Sequence, residues 1–400
     1  AFMPLTDTPD HLFWTQHCTV SRVPANQVTP SFYIYEELQF NKSNCTGAPK
    51  HLQWLQRINV EDEMLFEQLS THSQRTYDPD TAEVFIIPYL FAKEFECDPH
   101  TYHKRLLTAF QALRSQKSFQ QNYGHDHIMG TFDFFFNAYL NISRVMVPPM
   151  LSKVLANVTA TRHEIHNHHI LYNDIFVPTP ADNVHTKSSI VVPYALKTDT
   201  NAANIPWSLR PIRLWYHTQN ISCETVYQTK LRHRPFQEEA WSEQNLDHIG
   251  FTIPAEEWNH GWSQSKYCLV IRGDTPTSHA LYHAVAHGCI PVIISDYIQD
   301  VGIPFDIDVN AFSILVSEQA WMRDGMDGVI RVLEKNPIEK LSALARVRPF
   351  MLWEHPQSRV IEQVIQYVHK RKVLSKPLKI QVHRASRTTL VTAYFNVPSK

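Results

Sequence analysis

The segment "RGDTPTSHALYHAVAHGCIPVIISD", residues 272–296, decides the fold class of this chain. It begins inside the apolar run "YCLVIRG" (267–273) and closes with the apolar run "IPVIISD" (290–296). A helical pattern lies between these runs, with Thr275 as the predicted N-cap and Pro276 at the first helical position. The segment therefore predicts a compact strand–helix–strand unit. Its Arg-Gly-Asp tripeptide ends a buried strand, which argues against an exposed cell-adhesion loop.

Short apolar runs alternate with helical patterns along the rest of the chain, which predicts an α/β fold with open parallel sheets. The strand-like runs, several of them β-branched and apolar on both faces, are 31–38, 83–91, 127–134, 168–177, 188–196, 212–218, 249–253, 267–273, 290–296 and 312–318. The polar stretch 197–211 separates two series of strands. We therefore predict an N-terminal domain over 1–205, a second domain over 206–370 and a basic C-terminal tail over 371–400.

Composition excludes several classes of protein. The chain has 400 residues, 43% of them hydrophobic, and a formal net charge of −2. This near-neutral charge gives no argument for a nucleic-acid partner or an anionic membrane. No apolar run reaches the roughly 18 residues of a membrane span. We expect that any membrane anchor lies outside this chain.

Sequons and cysteines both favour a secretory compartment. The Asn-x-Ser/Thr sequons, some of which we expect to carry N-glycans, are Asn41, Asn44, Asn141, Asn157 and Asn220. The cysteines, an even and scattered set without Cys-x-x-Cys spacing, are Cys18, Cys45, Cys97, Cys223, Cys268 and Cys289. Such a set fits disulfides better than zinc ligation. Cys18 and Cys45 flank the first predicted strand and can pair.

The turn after the strand 267–273 is a candidate anion site. Backbone N–H groups of Thr277 and Ser278, at the start of the predicted helix, face the carboxyl edge of the sheet, where a nucleotide diphosphate is the usual occupant. Arg272 can supply the positive charge, and Gly273 allows a tight turn. Asp274 either caps the helix or accepts from a sugar hydroxyl. The alternative is a turn of ordinary composition that binds nothing.

Three histidines, His279, His283 and His287, follow one face of the predicted helix. Two histidines at i, i+4 can share a metal ion, but no carboxylate or cysteine stands at a matching spacing. We therefore predict a polar face with His279 and His283 near the ligand edge, and no metal site.

The whole segment resembles the signature of the exostosin family, glycosyltransferase family 47. That pattern runs Gly-Asp-Thr-Pro-Ser-Ser, then a helix, then Gly-Cys-Ile-Pro-Val-Ile and Ser-Asp. Other marks follow the family order, namely "FYIYEE", "DPDTAEVFIIPYLF", "GHDHI", "DIFVP", "RPIRLWYH" and "IPFDIDVNAFSILVSE". The resemblance covers about residues 30–350. This chain departs from the family pattern at Ala280, where arginine is common, and at His283, where an acidic residue is common.

The resemblance implies a GT-B fold, in which two Rossmann-like domains face each other across a cleft. It implies an inverting glycosyltransferase of the Golgi lumen that moves a sugar from a nucleotide sugar, usually a UDP-sugar, to a polysaccharide or glycoprotein glycan. No further cofactor is expected. Because family members form complexes, we expect a homo- or hetero-oligomer. The alternative is a non-catalytic glycan-binding or scaffold subunit, for which the His283 departure leaves room.

An inverting transferase needs a base for the acceptor hydroxyl. The candidates are His125, Asp126 and His127 in "GHDHI" (124–128), where the carboxylate can orient an imidazole. The alternative is a structural turn with Asp126 as a cap.

Two further positions are candidate donor contacts. The basic cluster Lys230, Arg232 and Arg234 can reach the phosphates, or it is a solvated face. Glu318 ends a predicted strand where Rossmann-like domains place an acid on the ribose.

Overall fold

Two parallel sheets form the framework of the molecule. The computed structural model describes residues 29–38, 60–90, 94, 98, 101–130, 157–162, 189–196, 205–218, 226–237, 247–251, 255–273, 276–333, 337–374, 381–385 and 388–392. Within these residues each sheet has five strands, and every strand pair within the two sheets is parallel. Helices cover both sheets. The α/β fold with open parallel sheets predicted from the sequence is confirmed.

The first sheet has its strands in chain order. They are β1 (Phe32–Ile34), β2 (Val84–Ile87), β3 (His127–Gly130), β4 (Thr159–Arg162) and β5 (Ser189–Val191). All four residues of β2 are buried, as expected of a strand covered on both faces. The sequence did not predict β4, because its residues are Thr-Ala-Thr-Arg rather than an apolar run. The predicted strand 168–177 lies outside the described residues.

The second sheet reverses its order. Its strands are β6 (Ile212–Thr218), β7 (Asp247–Phe251), β8 (Ser265–Ile271), β9 (Ile290–Ile294) and β10 (Ile314–Val316), arranged β10-β9-β8-β6-β7. The chain passes from β6 outward to β7, then returns to the other side of β6 as β8. Ligands of open α/β sheets bind at the carboxyl ends of the strands where the order reverses. This topological switch point lies between β6 and β8.

Eleven α-helices connect and cover the strands in the part of the chain that the structure describes. They are α1 (Val60–Thr71), α2 (Tyr102–Ser115), α3 (Lys117–Asn122), α4 (Val226–His233), α5 (Ala255–Gln264), α6 (His279–Ala286), α7 (Ile298–Val301), α8 (Val309–Phe312), α9 (Glu318–Val332), α10 (Ile338–Met351) and α11 (Val360–Leu374). None of these helices combines the length and the hydropathy needed to cross a membrane.

Helix α6 begins later than predicted. Its N-cap is Ser278, whose hydroxyl accepts from the N–H of Ala280, whereas the predicted cap Thr275 lies outside the described residues. At its other end Gly288 adopts a left-handed conformation with φ 65°. Gly288 N–H donates to Val285 O, and Cys289 N–H donates to Ala284 O. This is a Schellman motif, which explains the glycine before β9.

The last helix of the described chain, α11, returns to the first sheet. Its Val364, Ile365 and Val368 are buried in one cluster with Ile34 and Ile86 of β1 and β2. Helix α11 therefore packs in the first unit, although most of its residues fall within the predicted 206–370 domain. The predicted tail also contains a two-stranded antiparallel hairpin, β11 (Gln381–Ala385) and β12 (Thr388–Thr392).

The buried guanidinium of Arg210 connects several elements of the second unit through hydrogen bonds. Arg210, which is 4% exposed, donates to Ser265 O at 2.8 Å and to Ile205 O at 3.2 Å. It also donates to His287 O at 2.8 Å and to Gly288 O at 3.0 Å. Burial, together with a second arginine nearby, lowers the pKa of Arg210 to about 10. It therefore stays cationic at neutral pH and caps the carboxyl end of α6.

A disulfide closes the same unit. Cys268 of β8 and Cys289, just before β9, are bonded to each other and fully buried. The predicted partners Cys18 and Cys45 lie outside the described residues. The bond holds the two strands that carry the 272–296 segment.

Replacing Arg210 tests how much its hydrogen bonds to the four carbonyl groups stabilise the fold. Arg210→Met removes a cation and leaves four buried or partly buried carbonyl groups without this donor, so we expect the free energy of unfolding to fall by about 3 kcal/mol. Urea denaturation measures the change. Arg346→Met is the matched control, because Arg346 is exposed on α10, and it is expected to shift stability by less than about 0.5 kcal/mol. Equal effects of the two substitutions on the free energy of unfolding would contradict this stabilising role of Arg210.

Candidate functional site

The switch point of the second sheet brings together four of the residues predicted for the donor site. Arg272 and Gly273 follow β8 directly, Arg232 lies on α4, and Glu318 begins α9. Asp274 lies outside the described residues. Ser278 is the N-cap of α6, and Thr277, which directly precedes it, is buried.

Arg272 is not available in the way that the sequence suggested. Its Nε lies 2.7 Å from Glu318 Oε1, and both side chains are buried. Glu318 is further held by Asp296: Asp296 N–H donates to Glu318 Oε1 at 3.3 Å, and Glu318 N–H donates to Asp296 Oδ1 at 2.9 Å. Arg272, which was predicted to bind a phosphate, and Glu318, which was predicted to bind a ribose, therefore neutralise each other. This pair joins the carboxyl ends of β8 and β9 to α9.

Arg232 takes the position beside the turn. Its Nε donates to Arg272 O at 3.2 Å, and its side chain is half-buried. A Cβ atom added to Gly273 would lie 2.8 Å from Arg232 Nη2. The glycine is therefore needed less for backbone conformation than for the close approach of this guanidinium. Of the predicted basic cluster, Lys230 is exposed and Arg234 is half-buried.

The start of α6 is held firmly against β9. Ser295 Oγ donates to Pro276 O at 2.8 Å. Thr277 packs so closely on Gly302 that a Cβ there would lie 3.0 Å from Thr277 Cβ. These contacts fix the helix start at the carboxyl edge, where its partial positive charge favours an anion.

His283 lies inside the unit rather than at the ligand edge. Its ring stacks on Trp262 of α5, with centroids 5.7 Å apart, and on His287, with centroids 6.3 Å apart. Burial, with smaller effects of His287 and His279, lowers the pKa of His283 to about 3. A neutral, stacked imidazole thus replaces the acidic residue of the family pattern, so this departure is a packing change. The described residues contain no group of three or more His, Cys, Asp or Glu that could hold a metal ion.

The predicted base residues lie at the amino end of β3 in the first sheet, whereas the switch point lies at the carboxyl edge of the second sheet. Asp126 and His127 are both 0% exposed, and His125 is half-buried. Asp126 Oδ1 lies 2.8 Å from His127 Nδ1, while its Oδ2 accepts from Asn122 at 2.6 Å. This burial argues against contact with an acceptor, which a base requires.

The same carboxylate instead anchors α11. Lys372 Nζ lies 3.1 Å from Asp126 Oδ2, and His127 Nε2 is 2.8 Å from the hydroxyl of Tyr35. Burial raises the pKa of Asp126, but the hydrogen bond and charge of His127 and the charge of Lys372 outweigh it, so that the pKa lies below its usual value. The "GHDHI" mark therefore joins β3 to the last helix.

The structure also shows residues that the sequence analysis missed. Tyr194, just beyond β5, contacts His279 with tilted rings whose centroids are 4.2 Å apart, and it contacts Tyr282 edge-to-face at 5.5 Å. These contacts bring the carboxyl end of the first sheet to the start of α6. Of the predicted N-glycan sites only Asn157 is described; its side-chain amide donates to Tyr123 O at 3.2 Å.

A profile described as "Exostosin GT47 domain" matches residues 27–327. This chain belongs to the exostosin GT47 family. The match includes both sheets and the whole 272–296 segment. A curated relative, the "Probable arabinosyltransferase ARAD1" of Arabidopsis thaliana, is 31% identical over 136 residues. That alignment covers 32% of this chain and 28% of the relative, so less than a third of the relative's length is matched.

Solved glycosyltransferases are similar to this exostosin GT47 chain only distantly. Sucrose-phosphate synthase from Thermosynechococcus elongatus is 13% identical with a TM-score of 0.36, and the match covers 82% of this chain and 81% of that one. AviGT4, a glycosyltransferase involved in avilamycin A biosynthesis, is 10% identical with a TM-score of 0.37, covering 86% and 98%. Values this low say nothing about substrate.

The lowered pKa of partly buried His283 predicts a contribution to the acid sensitivity of the fold. Below about pH 6.5 the unfolded chain protonates this histidine, whereas the folded chain does not until the pH nears its own pKa. Stability is therefore lost as the pH falls from about 6.5. We expect His283→Phe, which keeps the ring stack on Trp262, to reduce the pH slope of the unfolding free energy by about one proton. Urea denaturation between pH 5 and 7 tests this, with the exposed His260→Phe as control; an unchanged slope would contradict it.

Proposed function

We propose that this exostosin GT47 domain transfers a sugar from a nucleotide sugar to a glycan acceptor, with the donor diphosphate bound at the switch point between β6 and β8. The observation that carries the proposal is the close approach of Arg232 to Gly273 beside the start of α6. It combines a guanidinium, a glycine turn and a helix N-terminus at one place. The family match over the same residues supports it.

The fixed geometry of the site suits a leaving diphosphate. Donors that are already in place stabilise charge without reorganisation during the reaction. The Arg272–Glu318 pair holds the turn, Ser295 holds the helix start, and Arg210 caps the far end of the helix. The helix dipole and Arg232 then act on whatever anion lies at the carboxyl edge.

The finer parts of the proposal concern substrate and compartment. We infer a UDP-sugar donor, an inverting reaction, no required metal, and an acceptor that is a polysaccharide or glycoprotein glycan. The buried Cys268–Cys289 disulfide supports an oxidising compartment such as the Golgi lumen. Arabinose is one sugar to include among the donors, since the relative in Arabidopsis is called a probable arabinosyltransferase.

The alternative of a non-catalytic subunit loses its main support. It rested on the missing acidic residue at position 283. Because His283 stacks on Trp262 away from the turn, its identity does not alter the groups beside Gly273. The alternative nevertheless predicts a distinct result, namely glycan binding without turnover.

A donor screen tests the proposed function directly. Purified protein is incubated with UDP- and GDP-sugars and an oligosaccharide panel, and released nucleoside diphosphate is measured. We expect acceptor-dependent release with at least one donor, and no loss of rate after chelation. Arg232→Met should lower kcat/KM by about 10- to 100-fold, as expected for loss of a charged contact. Lys230→Met, a change of the exposed cation on the same helix, is the control. Glycan binding without release from any donor would sink the enzyme proposal.

Gly273→Ala tests the contact that carries the proposal. The added methyl group displaces the end of a flexible arginine rather than backbone, so we expect little change in stability, within about 1 kcal/mol. UDP affinity, measured by calorimetry, should fall about 10-fold because Arg232 moves. In an Arg232→Met background the same glycine substitution should have almost no further effect, since neighbouring groups are not additive. Full additivity of the two changes would contradict the assignment.

A further inference from the structure

His279 occupies a place that the donor-site prediction did not use. It is the first residue of α6, directly after the N-cap Ser278, and therefore lies at the carboxyl edge of the second sheet. His279 is exposed to solvent. Its ring also contacts Tyr194, which follows the last strand of the first sheet, at 4.2 Å between centroids. His279 thus lies where the two units meet.

The charge balance at the switch point leaves a role for this side chain. A nucleotide-sugar diphosphate carries about two negative charges. Arg272 is neutralised by Glu318 at 2.7 Å, so its cation does not serve the ligand. Arg232 supplies one full charge beside Gly273. A second cation is therefore expected from another group at the same edge.

Without a ligand, His279 is neutral. Desolvation by the surrounding side chains lowers the pKa of His279 to about 4, even though the residue is exposed at the surface of the protein. The positive end of α6 acts in the same direction, because it disfavours a cation in the first turn. The groups that interact with the ring are Tyr194 from the first unit and His283 on its own helix. Neither of these supplies a negative charge at neutral pH.

A diphosphate at the helix start would reverse this balance. Two negative charges within hydrogen-bond distance favour the imidazolium form and oppose both the desolvation and the helix dipole. We propose that His279 takes up a proton from solvent when the donor binds and donates an N–H to a phosphate oxygen, so that donor affinity is linked to protonation of this one residue. The inference rests on the proposed donor site and assigns His279 to its phosphate contacts.

Calorimetry with UDP as the probe tests the proposal. Titrations at pH 5.5 and 7.5, each in two buffers of different ionisation enthalpy, give both the dissociation constant and the number of protons taken up. The phosphate of UDP itself titrates in this range, so the difference between wild-type protein and His279→Ala isolates the histidine. His260→Ala, an exposed histidine on α5, is the matched control.

The expected results are specific. His279→Ala should weaken UDP binding at pH 5.5 by about 10- to 100-fold, the effect of one charged hydrogen bond, and less at pH 7.5. On binding UDP, the His279→Ala variant should also take up fewer protons than the wild type, by at most about one proton. His279→Arg, which keeps a permanent cation, should bind UDP with near wild-type affinity at pH 5.5 but without that proton uptake. His260→Ala should behave as the wild type.

Two negative outcomes are distinguishable. If wild-type protein binds UDP, and His279→Ala matches it in affinity and proton uptake, this inference is overturned while the donor site stands. If wild-type protein binds neither UDP nor GDP, the proposed function fails, and this inference fails with it.

Discussion

The hydrogen bonds of buried Arg210 are the constraint on which the second unit depends. One side chain joins Ile205 before the sheet, Ser265 at the start of β8, and the carbonyls of His287 and Gly288 at the end of α6. It therefore fixes where the helix ends relative to the strand that precedes it. Because a helix is rigid, fixing its carboxyl end also fixes its amino end, where the ligand is proposed to bind. The Schellman motif at Gly288 and the Cys268–Cys289 disulfide act on the same few residues.

Charges at the two ends of the sheets have different tasks. At the carboxyl edge of the second sheet, the Arg272–Glu318 pair is buried and internally neutral, so it positions the turn without attracting an anion. Arg232 beside Gly273 is only half-buried and remains directed at the turn. At the amino edge of the first sheet, the carboxylate of Asp126 forms a salt bridge with Lys372 of α11. A cluster of ionisable residues in the sequence therefore does not by itself indicate catalysis, because burial decides its role.

Contacts between the two units lie close to the proposed site. Helix α11 completes the core of the first unit, and Trp353, shortly before it, donates to Pro193 O at 2.7 Å. The residue after that proline, Tyr194, reaches His279 at the start of α6. The carboxyl edge of one sheet thus meets the carboxyl edge of the other through two aromatic rings. A donor bound there would lie next to the side on which an acceptor is expected.

The sequence by itself determined the α/β class, the two series of strands and the β8–α6–β9 unit, because hydrophobic periodicity, glycine and proline act locally. It also predicted Gly273 and Ser278 at one strand–helix turn, since strand ends and helix starts meet at a sheet edge, and it named Arg232, within a basic cluster, as a candidate phosphate contact. Only the tertiary structure decided that Arg272 pairs with Glu318 and that Asp126 is buried under α11. Those partners are far apart along the chain, and no local pattern encodes them: which charges are neutralised and which face solvent depends on how distant elements pack.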